Sequence, residues 1–230
     1  MSDTNLYEVL EIGPRQVKGV MSHNGLAQVK VVDRDKSWQA ETRISNLPEP
    51  YKVAGAWRFT LESDQFTRIE KTLAELESWT EDPRTQYFSG TGRYDLDFEL
   101  PAKYIHDGIE LSLDLGEVGN VAEVIVNGKH LGVAWMTPYR LFAQNALRAG
   151  ANHLTILLTN TLINYVAGLK KLPEVPSSLT AHYGETNPDY QDGAREWERR
   201  EKGFSPLPQS GMIGPVTIWA RRRVVLFAKA

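Results

Sequence analysis

Apolar and polar residues alternate along much of the chain with a period of two. In RYDLDFEL, Tyr94, Leu96, Phe98 and Leu100 alternate with Asp95, Asp97 and Glu99, and in IELSLDL, Ile109, Leu111, Leu113 and Leu115 alternate with Glu110, Ser112 and Asp114. A strand turns successive side chains to opposite faces, so this pattern predicts strands with one face on a core and the other in water. VAGAWRFTLE reads the same way, with Trp57 and Arg58 on opposite sides. ANHLTILLTN predicts a strand with Leu154, Ile156 and Leu158 inward, and PVTIWARRRVVLF a closing strand. Residues 69–79, IEKTLAELESW, have helical propensity. VAEVIVNGKHLGVAW is a hairpin whose Asn127-Gly128 supplies the positive φ that a tight two-residue turn requires.

Turn signals divide the chain. Residues 1–47 hold short strand-like runs broken by Gly13-Pro14 and Asn24-Gly25, and read as a small N-terminal β unit. Pro48 and Pro50 then interrupt regular structure, because each removes a backbone donor and restricts the residue before it. The larger unit is 51–230. Within it the run 161–209 breaks the strand rhythm with five prolines and one charged, helix-like stretch near 194–202. A connection that long either has work to do or lacks fixed structure. Many short strands and few helices predict an all-β fold, an antiparallel β-sandwich carrying one long loop insertion.

Composition removes several functions. A net charge of −3 offers no field to steer a polyanion, so neither nucleic acid nor an anionic membrane is an expected partner. With 0 cysteines there is no disulfide, thiolate nucleophile or cysteine-held zinc. The polar N-terminus has no apolar signal core, and no run approaches the roughly 18 apolar residues of a membrane span. The expected compartment is cytoplasmic for the chain as written, or secreted or periplasmic if it belongs to a longer exported protein. No G-x-S-x-G or H-E-x-x-H occurs, and the five histidines never fall four apart, so acyl transfer and zinc hydrolysis lack their motifs. No cofactor or metal site is expected; a structural calcium on loop oxygens leaves too faint a pattern to read.

Carboxylates and aromatics remain. Glycoside hydrolysis needs two carboxyl groups flanking the scissile bond, and the candidates are Glu123 on the motif strand with Glu174, Glu185 and Asp189 in the long insertion. The six tryptophans and nine tyrosines suit sugar C–H faces. His130, Trp135, Tyr139 and Arg140 cluster on and after the hairpin, and combine a stacking platform with donors for hydroxyl groups. Asn160 and Asn164, at the head of the insertion, complete the candidate ligand set. The structural alternative has Trp135 closing the sandwich end and Arg140 pairing with a surface carboxylate.

YFSGTGRYDLDFELP, LSLDLGEVGNVAEVIVNGKHLGVAWMTPYRLF, LRAGANHLTILLTN and SGMIGPVTIW occur in the order and spacing of a known domain. Together they resemble the sugar-binding, galactose-binding-like jelly roll of glycoside hydrolase family 2. The stretches AGAWRF, Glu77-Ser78-Trp79-Thr80 and Gly90-Thr91-Gly92-Arg93-Tyr94 bring the match nearest to the C-terminal region of family 106 rhamnosidase-like proteins. The resemblance covers residues 53–219 and implies a non-catalytic carbohydrate-binding sandwich, an accessory beside a separate glycosidase catalytic domain. It also implies that the loop after Thr159-Asn160 leans toward that neighbour. Met136 and Thr137 depart from the family's usual pair. Two alternatives stand beside it: a glycosidase or polysaccharide lyase in its own right, with a site between the 127–140 hairpin and the 161–209 loop, and a packing module without ligand.

Overall fold

The structure is a computed structural model that describes residues 6–33, 36–63, 66–169 and 207–228. In chain order its strands are β1 (Leu6–Gly13), β2 (Gln16–Met21), β3 (Gly25–Asp33), β4 (Lys36–Ile44), β5 (Tyr51–Lys52), β6 (Trp57–Ser63), β7 (Phe66–Leu73) and β8 (Thr91–Leu100). They continue as β9 (Ile109–Asp114), β10 (Glu117–Gly119), β11 (Val121–Val126), β12 (Lys129–Ala134), β13 (Arg140–Phe142), β14 (Gly150–Thr159), β15 (Gly211–Gly214) and β16 (Thr217–Phe227). One short helix, α1 (Ile163–Gly168), follows β14.

Two six-stranded antiparallel sheets form the sandwich. The first has the order β1-β2-β16-β9-β13, with β5 also on β16; the second has the order β12-β11-β14-β8-β6-β7. The alternating positions fill the space between them, with Tyr94, Leu96, Leu154, Ile156, Leu158, Leu111, Leu113 and Ile218 all buried in one cluster. Trp57 is buried and Arg58 exposed, as the alternation requires. Ser112, on the outer side of β9, and Thr155, on the outer side of β14, break the pattern, because both are also buried.

The helical propensity of 69–79 loses to pairing. Residues 66–73 form the edge strand β7, which runs beside β6 from Ser63↔Phe66 to Trp57↔Leu73. That ladder supplies backbone partners and turns Ile69 and Leu73 toward the core, which no isolated helix of this length offers.

The N-terminal segment, expected as a unit of its own, contributes β1 and β2 to the first sheet. β2 pairs with β16 over six positions, from Met21↔Arg222 to Gln16↔Phe227. The β3–β4 hairpin buries Ala27, Ala40 and Ile44 against the common core. Asn24 ties the two segments together, donating to the Leu47 carbonyl at 2.9 Å and accepting from the Leu47 amide at 2.8 Å.

Trp79 plugs one end of the core. Its indole donates to the Tyr94 hydroxyl (2.7 Å), which also accepts from the Met212 amide (3.1 Å), and burial pushes the Tyr94 phenol well above its ordinary pKa. The insertion leaves and returns beside this plug. Asn164, at its start, donates to the carbonyls of Gln86 (3.3 Å) and Pro208 (3.1 Å), so the two ends of 165–207 are held together. The helix expected near 194–202 lies outside the described residues.

Candidate functional site

The two ends of the β11–β12 hairpin differ in kind. At its turn, Asn127 and Gly128 have φ of 52° and 78°, as a tight hairpin turn demands. The Asn127 amide donates to the Ala146 carbonyl (2.7 Å) and to Asn152 Oδ1 (2.8 Å), and its oxygen accepts from the His153 amide (2.9 Å). Nothing is left over for a ligand. His130, just past the turn, pairs through Nε2 with Glu123 Oε1 at 3.2 Å. The recorded partner of Glu123 is thus an imidazole rather than a second carboxylate. Glu174, Glu185 and Asp189 lie outside the described residues.

At the other end Ala134 pairs with Ala122 while Val121 pairs with Thr159, so Trp135 and Asn160 emerge at one end of the second sheet. His130 is left at the opposite end, about 16 Å from Trp135 along the strand at ~3.3 Å per residue. The cluster that looks contiguous in sequence is therefore divided. Trp135 is 68% exposed and Met136 57%. Tyr139 packs against the core, and its carbonyl accepts from the Leu115 amide at 2.9 Å. Arg140 has crossed to the first sheet, where Nε and Nη2 donate to Asp114 Oδ2 at 3.1 and 2.5 Å and the guanidinium lies 5.3 Å from the Trp219 ring centre.

The two asparagines of the candidate set are braces. Asn160 accepts from the Gly90 amide at 2.9 Å and donates to the Phe88 carbonyl at 2.8 Å, and it is 9% exposed. Asn164, 2% exposed, closes the base of the insertion.

Following Arg140 onto the first sheet leads to residues that spacing did not single out. On the outer face, Arg140 and Phe142 of β13 stand beside Asp114 and Ser112 of β9, which in turn stand beside Thr217 and Trp219 of β16. Glu110 is opposite Arg221 in the next row. The Arg221 guanidinium lies 4.8 Å from the Phe142 ring centre, so two arginines each cover an aromatic ring. The available signal was the alternation Trp219, Arg221, Arg223 in the closing strand, which places all three on one face.

The outer face of the second sheet is a lattice of charges. Arg58 pairs with Asp97 (2.9 Å), which also meets His153 Nδ1 at 2.6 Å, and Arg93 grips Asp95 at 2.6 and 2.8 Å. The hydrogen bond with His153, joined by that from Arg58, holds Asp97 below the usual carboxylate range. Burial pushes Asp95 upward, but Arg93 and Thr155 outweigh it and the net shift is down. A hollow of about 670 Å³ opens here around Thr60, ringed by Arg58, Arg68 and Arg93 with Glu62, Glu70 and Asp95. Among the described residues no group of three or more His, Asp or Glu is placed to hold a metal ion, and no helix is long and apolar enough to cross a membrane.

No protein-family model matches the chain. A curated protein of Formosa agariphila, named "Putative beta-glucuronidase", is 34% identical over 190 residues, which are 77% of this chain and 16% of that protein. Among solved structures, a rhamnosidase from Novosphingobium sp. PP1Y superposes with a TM-score of 0.56 at 23% identity, covering 96% of this chain and 24% of the rhamnosidase. A β-D-glucuronidase from Dictyoglomus thermophilum gives a TM-score of 0.48 at 22% identity, over 77% of this chain and 29% of that one. The chain thus spans about a sixth of the curated relative and about a quarter of the rhamnosidase. Its all-β sandwich is the fold of a part of glycoside hydrolases, and its sequence is similar to one small part of such a protein.

Proposed function

We propose that this chain is the accessory, carbohydrate-binding β-sandwich of a glycoside hydrolase, of the galactose-binding-like kind and rhamnosidase-like, working beside a catalytic domain. The observation that carries this reading is Trp135. Among the described tryptophans, Trp57 and Trp79 are buried and Trp38 and Trp219 partly so, whereas Trp135 is 68% exposed beside the exposed Met136. A large ring left in water at the end of a sandwich forgoes burial free energy of about 25 cal/mol per Å². A pyranose C–H face restores that burial, and hydroxyl groups then reach donors around the ring's rim.

The alternative of a self-contained glycosidase gains no support from Glu123, whose recorded partner is His130. The relatives carry rhamnosidase and glucuronidase names, so methyl α-rhamnoside and methyl β-glucuronide are the first probes. Calorimetric titration is expected to detect at least one of them at millimolar concentration or below, and Trp135→Ala to weaken that binding tenfold or more without lowering the melting temperature. Wild-type affinity in the variant would refute the role of Trp135, and heat of dilution alone with both glycosides would remove the carbohydrate reading.

A further inference from the structure

Among the described residues four buried side-chain polar atoms have no hydrogen-bond partner: Glu110 Oε2, Ser112 Oγ, Arg221 Nε and Ser210 Oγ. Three of the four share one patch. Glu110 and Ser112 are alternate residues on the outer face of β9, Arg221 is the cross-strand partner of Glu110, and Trp219 is the partner of Ser112. Buried polar groups in folded proteins are nearly always bonded, so three orphans side by side call for a common explanation.

The surroundings say what would satisfy them. Ser112 is 1% exposed, flanked across the strands by Trp219 and Phe142. Phe142 is 62% exposed, and its ring is covered by the Arg221 guanidinium, whose side chain is held by Glu8 at 3.1 Å. The cations are matched one to one, Arg140 with Asp114, Arg221 with Glu8 and Arg223 with Glu110. No charge is left for an anion to neutralise. An acceptor (Glu110 Oε2), a donor (Arg221 Nε) and a hydroxyl (Ser112) beside an aromatic ring ask instead for a neutral molecule with hydroxyl groups on its edge and an apolar face.

We propose that this patch is a second saccharide subsite, taking a neutral pyranose whose hydroxyls meet Glu110, Ser112 and Arg221 and whose C–H face replaces the Arg221 guanidinium on Phe142. The inference rests on the carbohydrate reading above but not on Trp135, which lies beyond β12 on the other sheet. The three orphaned atoms are closed to solvent and the Arg221 side chain is 11% exposed, so entry of the sugar requires that side chain to swing off Phe142, where a cation–π contact and the ion pair with the half-exposed Glu8 hold it.

Calorimetric titration of the whole chain with methyl α-rhamnoside and methyl β-glucuronide, run in parallel on Trp135→Ala, Ser112→Ala and Phe142→Ala with thermal melts of each, tests it. Trp135→Ala is expected to remove the tighter site, which weakens overall binding tenfold or more, and to leave a second, weaker binding of the neutral rhamnoside. Ser112→Ala and Phe142→Ala are each expected to weaken that retained binding tenfold or more when combined with Trp135→Ala. Ser112→Ala is also expected to melt no lower than wild type, because it deletes an orphaned group rather than a satisfied one. Wild-type affinity in both face variants, with all binding lost in Trp135→Ala, overturns the subsite and leaves the Trp135 reading intact. Binding lost in Ser112→Ala but indifferent to Trp135→Ala does the reverse. Retained binding that favours the glucuronide overturns the neutral class, and no binding of either glycoside overturns both readings.

Discussion

The turn of the β11–β12 hairpin and its far end are separated by one six-residue strand, yet they are built on opposite principles. At the turn every polar atom of Asn127 that the fold can use is used, with three hydrogen bonds reaching Ala146, Asn152 and His153. At the far end Trp135 and Met136 stand in solvent, and Arg140, five residues on, is occupied by Asp114 and Trp219. Saturation marks architecture, and unsatisfied apolar area marks a surface that gains by being covered. Polar residues in a loop are thus poor guides to binding until their partners are counted: Asn160 and Asn164 look like ligand donors in sequence, and both donate to backbone carbonyls as braces.

This contrast can be broken by substitution, and the stability effects should fall in a definite order. Asn127→Ala is expected to cost about 3 kcal/mol, because it removes the partners of the Ala146 carbonyl and the His153 amide and places an alanine at positive φ. Chemical denaturation would measure it, and a loss under about 1 kcal/mol would mean that the turn is not the brace described here. Next comes Asn164→Ala, at about 2 kcal/mol, since it releases the carbonyls of Gln86 and Pro208. Limited proteolysis should show the accompanying effect, faster cleavage between 165 and 207 with the sandwich itself intact; unchanged cleavage would show that the insertion is closed by other contacts.

Acid comes third. Asp82 is held far below the usual range chiefly by hydrogen bonds from Arg84, Asp97 by His153, and Asp95 by Arg93 and Thr155 against the opposing effect of burial. A carboxylate with a depressed folded pKa stabilises fully above its unfolded pKa, near 3.8, and that contribution is lost as pH falls toward the folded value. Melting temperature should therefore hold through neutrality and fall below about pH 4. Arg84→Gln and Arg93→Gln should flatten that acid limb. An unchanged limb in both variants would exclude these carboxylates as its cause. The smallest effect belongs to the exposed end, where Trp135→Ala should change stability by no more than about 0.5 kcal/mol, as for surface substitutions generally. A loss of 2 kcal/mol or more would make Trp135 a packing residue and remove the contrast altogether.

Much of the sandwich was legible because period-two alternation reports a physical requirement at each residue. A strand between core and water must alternate, and Tyr94 to Leu100 do so without interruption, while Leu154, Ile156 and Leu158 keep the inward positions although Leu157 between them is also apolar. The tight turn at Asn127-Gly128 was legible for the same local reason. Residues 69–79 have a composition that favours a helix, yet 69–73 belong to a strand, and only the presence of β6 alongside makes the strand the better use of Ile69 and Leu73. Of the candidate site, Trp135 is exposed, while His130 was placed with residues that the length of β12 carries away from it.

The sequence by itself determined which residues can sit on the same face of a strand, since alternation is a property of the extended backbone. It thereby set the inward faces of the sheets and the shared face of Trp219, Arg221 and Arg223. Which strands lie side by side was decided only by the tertiary structure. The patch of Glu110, Ser112, Phe142, Trp219 and Arg221 joins three strands from separate parts of the chain, and it exists because β9 pairs with both β13 and β16. Such pairing is selected by the fit of the whole core, a sum over distant contacts that no local pattern carries.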